Sequence, residues 1–205
     1  MKKLLTIQVY TIDELDEDTR DYILERFINE HCDYLMPDDW SDPILREAND
    51  FYGLDILEYD LYRGYIKAKL VKDPEECIKA IRENSQSKEL LDLADLYEKI
   101  LTKYYYEYGD NDDEDDEDRD DANEEYEAIK YNLQKDLSKY YLKELEKEYY
   151  YYFSKEYVYN FLESNETYFT KDGTLIPYSY VVKGKVTCKD EWDWTTVSIW
   201  YRKTY

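Results

Sequence analysis

The sequence predicts an α+β protein: a small antiparallel sheet from N-terminal, central and C-terminal strands, packed with a long antiparallel helical hairpin. Three observations lead there. The chain opens on an apolar, β-rich stretch, "LLTIQVYTI" over residues 4–12, and its last forty residues alternate as strands do. Between them, apolar residues recur at three- and four-residue intervals over long spans. Two of those spans, 87–108 and 123–153, are separated only by an acidic break, so they read as one hairpin over residues 87–153.

Taken in order, residues 4–12 form the first strand. "DELDEDTRDYILERFINEHCDYL" then turns helical through Leu15, Tyr22, Ile23, Phe27, Ile28 and Tyr34. Acids crowd its first turn, where the helix dipole favours them, and Pro37 ends it. "DPILREANDFYG" begins a short helix with Asp42 as cap and Pro43 at its first position, and stops at Gly53. "DILEYDLYRGYIKAKLV" alternates, and Arg63-Gly64 marks a tight turn or bulge between two strands. Pro74 opens a helix over 74–84, and Ser87 caps the next, which runs to Tyr108. After the acidic break comes the long helix, through Tyr126, Ile129, Leu133, Leu137, Tyr141, Leu145 and Tyr149. Ser154 caps a further short helix, and Asp172-Gly173 is a hairpin signal within three or four closing strands. The expected organisation is a body over 1–173, carrying an acidic loop over 109–122, and a β-rich extension over 174–205.

Charge is the outstanding feature of the composition. Fifty Asp and Glu against 27 Lys and Arg leave −23 at pH 7, while a 43% hydrophobic content still provides for a core. Such a field repels nucleic acid and anionic membranes and attracts cations and basic proteins. The acid sits in the helical body, because from Ile176 onward bases outnumber acids five to three. Tyrosine is the second departure, with 27 copies. Two readings stand side by side: codon drift in an AT-rich genome, or a tyrosine-covered interface.

Reaction chemistry is hard to find. His31 is the single histidine, and its neighbour Cys32 would point about 100° away on a helix, so the two form no dyad. Three scattered cysteines, Cys32, Cys77 and Cys188, build neither a disulfide framework nor a zinc site, and they suit a reducing cytosol. No phosphate-cradling glycine loop is present among five glycines. "DNDDEDDEDRDD", residues 110–121, superficially matches a calcium loop. Aligned from Asp110, however, it places Asp115 where the sharp turn needs glycine and Asp121 where the loop needs glutamate. Neither metal nor cofactor is expected. "MKKLLTIQVY" lacks the apolar run and cleavage site of a signal peptide, and no stretch reaches the length of a membrane span, so a cytoplasmic protein is expected.

Binding is what remains. The candidate partner-binding residues are Asp13, Glu14, Asp16, Glu17, Asp18 and Asp21 on the first helix, with Asp112, Asp113, Glu114, Asp115, Asp116, Glu117 and Asp118 in the acidic run. Carboxylates fixed along helices can imitate the phosphates of a duplex, which carry about one charge per 1.7 Å of axis.

The stretches "VYTIDELDEDTRDYILERF", "DILEYDLYRGYIKAKL" and "YNFLESNETYFTKDG" resemble a family of uncharacterised acidic proteins encoded by phages and mobile elements of bacteria. The matching residues are Tyr10, Thr11, Asp13, Glu14 and Leu15, then Asp60, Arg63 and Gly64, and the resemblance covers residues 4–175. The tail beyond Gly173 departs from that pattern. The resemblance implies a small, soluble protein acting in the host cytoplasm, and some members carry an antitoxin-like label. The expected function is non-enzymatic inhibition of a basic host protein, such as a CRISPR effector or a restriction nuclease, through a surface that mimics nucleic acid. An antitoxin-like module that neutralises a basic protein is the alternative.

Overall fold

In the computed structural model, residues 5–30, 35–108, 116–176, 181–182 and 185–188 are described. The chain is α+β, as the sequence predicts, and divides into two compact units: 1–37 with 150–205, and 38–149. Each unit has its own apolar core.

In the first unit, β1 (Leu5–Gln8) pairs antiparallel with β7 (Lys185–Cys188), which also pairs with β6 (Val181–Val182). After β1, Tyr10 exchanges two backbone hydrogen bonds of 2.8 Å with Phe169. Phe169 belongs to β4 (Tyr168–Phe169), which forms a hairpin with β5 (Leu175–Ile176). The turn of that hairpin uses Gly173 at φ +84°, where a side chain would also press on Ile23 at 3.2 Å. Helix α1 (Glu17–Glu30) packs on α6 (Lys155–Ser164) over Ile12, Leu15, Ile23, Leu24, Val158, Leu162 and Phe169. Ser154 caps α6 as expected, its hydroxyl accepting from the Tyr157 N–H at 3.1 Å.

The second unit starts with α2 (Asp42–Arg46), which widens into a π-turn over Glu47–Phe51. The turn stops at Gly53, where φ is +70° and a Cβ would sit 2.5 Å from Lys72 Cγ, so only glycine fits. A hairpin follows, β2 (Leu54–Asp60) with β3 (Tyr65–Leu70), bulged between Ile56 and Glu58. Then come α3 (Pro74–Asn84), α4 (Lys88–Tyr108) and α5 (Asp116–Tyr152). The pairs Glu89–Lys143, Tyr97–Asp136 and Tyr104–Tyr126 advance along α4 as they retreat along α5, the signature of an antiparallel hairpin. Its seam is Leu90, Ala94, Tyr97 and Leu101 against Ile129, Leu133, Leu137 and Tyr141. Gln134 on α5 accepts the Leu70 N–H at 3.0 Å and so ties in the end of β3.

Several sequence expectations change. Among the described residues the strands divide into three small sheets, and the central hairpin pairs with none of the terminal strands. The first helix is interrupted: a 3-10 turn, Ile12–Glu14, precedes α1, because Thr11 and Glu14 close a capping box and Asp16 starts the helix afresh. Ser41 takes the cap position expected of Asp42, which is the first residue of α2. The long helix begins at Asp116, seven residues before Asn123, so Asp116, Glu117 and Asp118 form a helical first turn. Acids are compatible with the first turn of a helix, where the dipole is positive. Of the acidic loop expected over 109–122, residues 109–115 lie outside the described residues, as do His31, Cys32 and the tryptophans Trp192, Trp194 and Trp200.

Candidate interaction surface

The acids of α1 and its approach are largely engaged in holding their own unit. Glu14 accepts the Thr11 N–H at 2.9 Å. Asp13 accepts the Tyr159 hydroxyl from α6. Asp16 accepts the Thr19 N–H at 2.9 Å, and that bond holds its carboxyl below the ordinary value. Asp21 and Glu25 share Lys155, at 3.4 and 3.0 Å. Arg20 turns its guanidinium inward onto the carbonyls of Ile12, Asp13 and Leu15, leaving it unavailable to neutralise neighbouring acids. Of the six acids expected here as partner contacts, only the exposed Glu17 and Asp18 have no hydrogen bond or ion pair among the described residues.

The front half of α5 is different. Residues 120–127 hold Asp120, Asp121, Glu124, Glu125 and Glu127 with no basic residue among them. At 1.5 Å rise per residue they span about 12 Å, or one carboxylate per ~2.4 Å, close to the charge spacing of a duplex. Among the described residues, Asp120, Asp121, Glu124 and Glu127 enter no ion pair. Sequence reasoning stopped at Asp118, just before them. The signal was present, because the acidic run continues into the helical period. Of the acids named in the run, Asp112, Asp113, Glu114 and Asp115 lie outside the described residues.

Three helices fix this stretch. Glu75, in the first turn of α3, accepts hydroxyls from Tyr105 on α4 and from Tyr126 on α5, the latter at 2.9 Å. The bond to Glu75, helped by burial, pushes the Tyr105 hydroxyl up to about 12; burial and the same bond raise Tyr126. Lys130 reaches Asp73, the cap of α3, at 3.1 Å, and Tyr104 packs its ring 5.6 Å from that of Tyr126. Tyr108, near the end of α4, bonds to Glu125 and is raised by it. The helix is therefore anchored by two neutral phenol donors and by the Lys130–Asp73 pair, none of which engages Asp120, Asp121, Glu124 or Glu127.

Among the described residues, no three His, Cys, Asp or Glu side chains are placed to hold a metal, and no helix is long and apolar enough to cross a membrane. No protein-family model matches the chain, and neither a curated protein nor a solved structure is detectably similar to it.

Proposed function

We propose that this chain is a binding protein that presents the carboxylates of α5 to the basic groove of a nucleic-acid-binding protein. The biological setting we favour is a phage-encoded inhibitor of a host CRISPR effector or restriction nuclease. The observation that carries the reading is the unpaired run Asp120, Asp121, Glu124 and Glu127 on a helix braced by Glu75 and two tyrosines. Arginine forks that grip phosphate accept carboxylate just as well. Side chains already fixed on a helix also avoid the ordering cost of about 1–2 kcal/mol per residue that a loop would incur on binding.

The test uses the whole protein as bait for host lysate at ~50 mM and ~1 M salt, between which the Debye length shrinks from ~14 Å to ~3 Å. A variant carrying D120N, D121N, E124Q and E127Q serves alongside. The reading expects a nucleic-acid-binding protein retained at low salt, displaced by duplex DNA, and lost with the variant. Retention that survives both salt and the variant refutes it. A single small toxin held under those conditions would indicate the antitoxin-like alternative.

A further inference from the structure

The second unit contains an open cleft of about 570 Å³ that the acidic run does not touch. Its size falls in the ~300–1,000 Å³ range of small-molecule sites. On one side stands the end of the π-turn that follows α2, with Glu47, Asp50, Phe51 and Tyr52. Facing these are Ser85, just past the end of α3, and Tyr140 of α5. The carbonyl ends of the π-turn and of α3 reach this space, and Ser87, at the start of α4, brings one helix N-terminus to it as well.

The side-chain charges decide the sign of the cleft. Glu47 accepts only the buried Tyr141 hydroxyl, at 3.2 Å, and Asp50 has no side-chain partner among the described residues. Arg46, the one cation on the rim, is turned to Asp42 at 3.1 Å. An ammonium of this chain already shows what the turn end attracts: Lys72 Nζ donates to the carbonyls of Phe51 at 2.6 Å and Asp50 at 3.4 Å. The rest of the lining combines aromatic side chains with the polar Asn84, Ser85, Gln86 and Ser87. Phe51 is 48% exposed, and Tyr52 and Tyr140 are both held neutral by burial.

We infer that this cleft binds a guanidinium group on an aliphatic stem, with Glu47 and Asp50 accepting its forked donors and Phe51 and Tyr140 flanking its plane. A guanidinium fits better than an ammonium because it is planar, weakly hydrated, stacks on rings and pairs bidentately with carboxylates. Phe51 and Pro43, both on the lining, offer the aliphatic stem apolar surface. This inference does not depend on the acidic run of α5.

The experiment is an NMR titration of the full chain with Nα-acetyl-arginine methylamide, its neutral citrulline counterpart, and agmatine. Saturable shifts confined to residues 43–52, 84–87 and 140 are expected with arginine and agmatine, and none with citrulline. E47Q/D50N should weaken binding at least tenfold while its spectrum stays folded, since glutamine still accepts from Tyr141. The α5 variant with four neutralised acids should bind arginine as the parent does, so failure here and failure of the proposed function are separable. An arginine-bearing hexapeptide that binds more tightly than the blocked residue places the ligand on a polypeptide. Equal affinity for agmatine and hexapeptide places it among free guanidines. Binding of citrulline as strong as arginine, indifference to E47Q/D50N, or no saturation below ~10 mM each overturns the inference.

Discussion

Alkali should unfold the second unit through its tyrosines. Tyr52, Tyr97 and Tyr141 are only 2%, 3% and 1% exposed, and burial is the chief reason each hydroxyl is raised above its ordinary value. In the unfolded chain the same groups ionise near pH ~10. Because the folded value is the higher one, their contribution to stability is fully present below about pH 10 and is lost as pH rises toward it. A group whose folded value lies well above pH 11 costs about 1.4 kcal/mol by pH 11, so Tyr97 and Tyr141 together cost about 3, against a typical total of about 5–15 kcal/mol. The assay is urea unfolding followed by circular dichroism at pH 8, 10 and 11, for the parent, Y97F and Y141F. At pH 8, Y97F should be less stable by about 1.5–3 kcal/mol, because it loses a 2.9 Å hydrogen bond to the Asp136 carboxylate. Between pH 10 and 11, each variant should nevertheless lose about 1 kcal/mol less than the parent. If all three proteins fall in parallel, these hydroxyls are not what alkali attacks.

Leu137→Ala, at a fully buried position of the α4–α5 seam, should cost about 2–5 kcal/mol by urea unfolding. Ser154→Ala should cost about 0.5–2 kcal/mol through loss of the α6 cap, and Ser154→Asp should recover most of it; thermal denaturation of the three proteins checks this. Cys77 is fully buried, and burial pushes its thiol up to about 12. In a C32S/C188S variant it should therefore react with a thiol reagent at pH 8 at least about a hundredfold more slowly than in urea, following transient opening of the unit.

What the sequence revealed were features decided within a few residues. Pro74 after Asp73, Ser154 before α6 and Asp172-Gly173 between β4 and β5 are local signals, and each element falls where its signal lies. The seam of α4 and α5 was legible for a related reason, since its apolar period persists through several turns. Sheet membership was not, because the partner of a strand lies far away in the chain: β1 pairs with β7 across some 180 residues, while β2 and β3 need only each other. The start of α5 was obscured by opposing terms, acid attraction to the dipole against acid repulsion. The occupation of the α1 acids was partly readable, since Thr11-x-x-Glu14 is a capping-box pattern and Asp16-x-x-Thr19 a cap. The double use of Glu75 was not, because its donors stand 30 and 51 residues away.

The tyrosines and the negative charge belong to one design. Among the tyrosine hydroxyls, those of Tyr97, Tyr105, Tyr126, Tyr141 and Tyr159 donate to the carboxylates of Asp136, Glu75, Glu47 and Asp13. In each case a helix-borne phenol is tied to an acid elsewhere in its own unit. A lysine could make the same tie, but it would cancel one negative charge at each contact and bring a strongly hydrated ammonium to the edge of the core. A phenol buries its ring, donates one charge-assisted hydrogen bond, and leaves the carboxylate charged. Neither codon drift nor an interface is needed to place these five residues, because their positions follow from packing. Part of the cohesion within each unit thus comes from neutral donors, alongside ion pairs such as Lys143–Glu89 and Lys155–Glu25, and the −23 of the chain remains a field that favours basic partners.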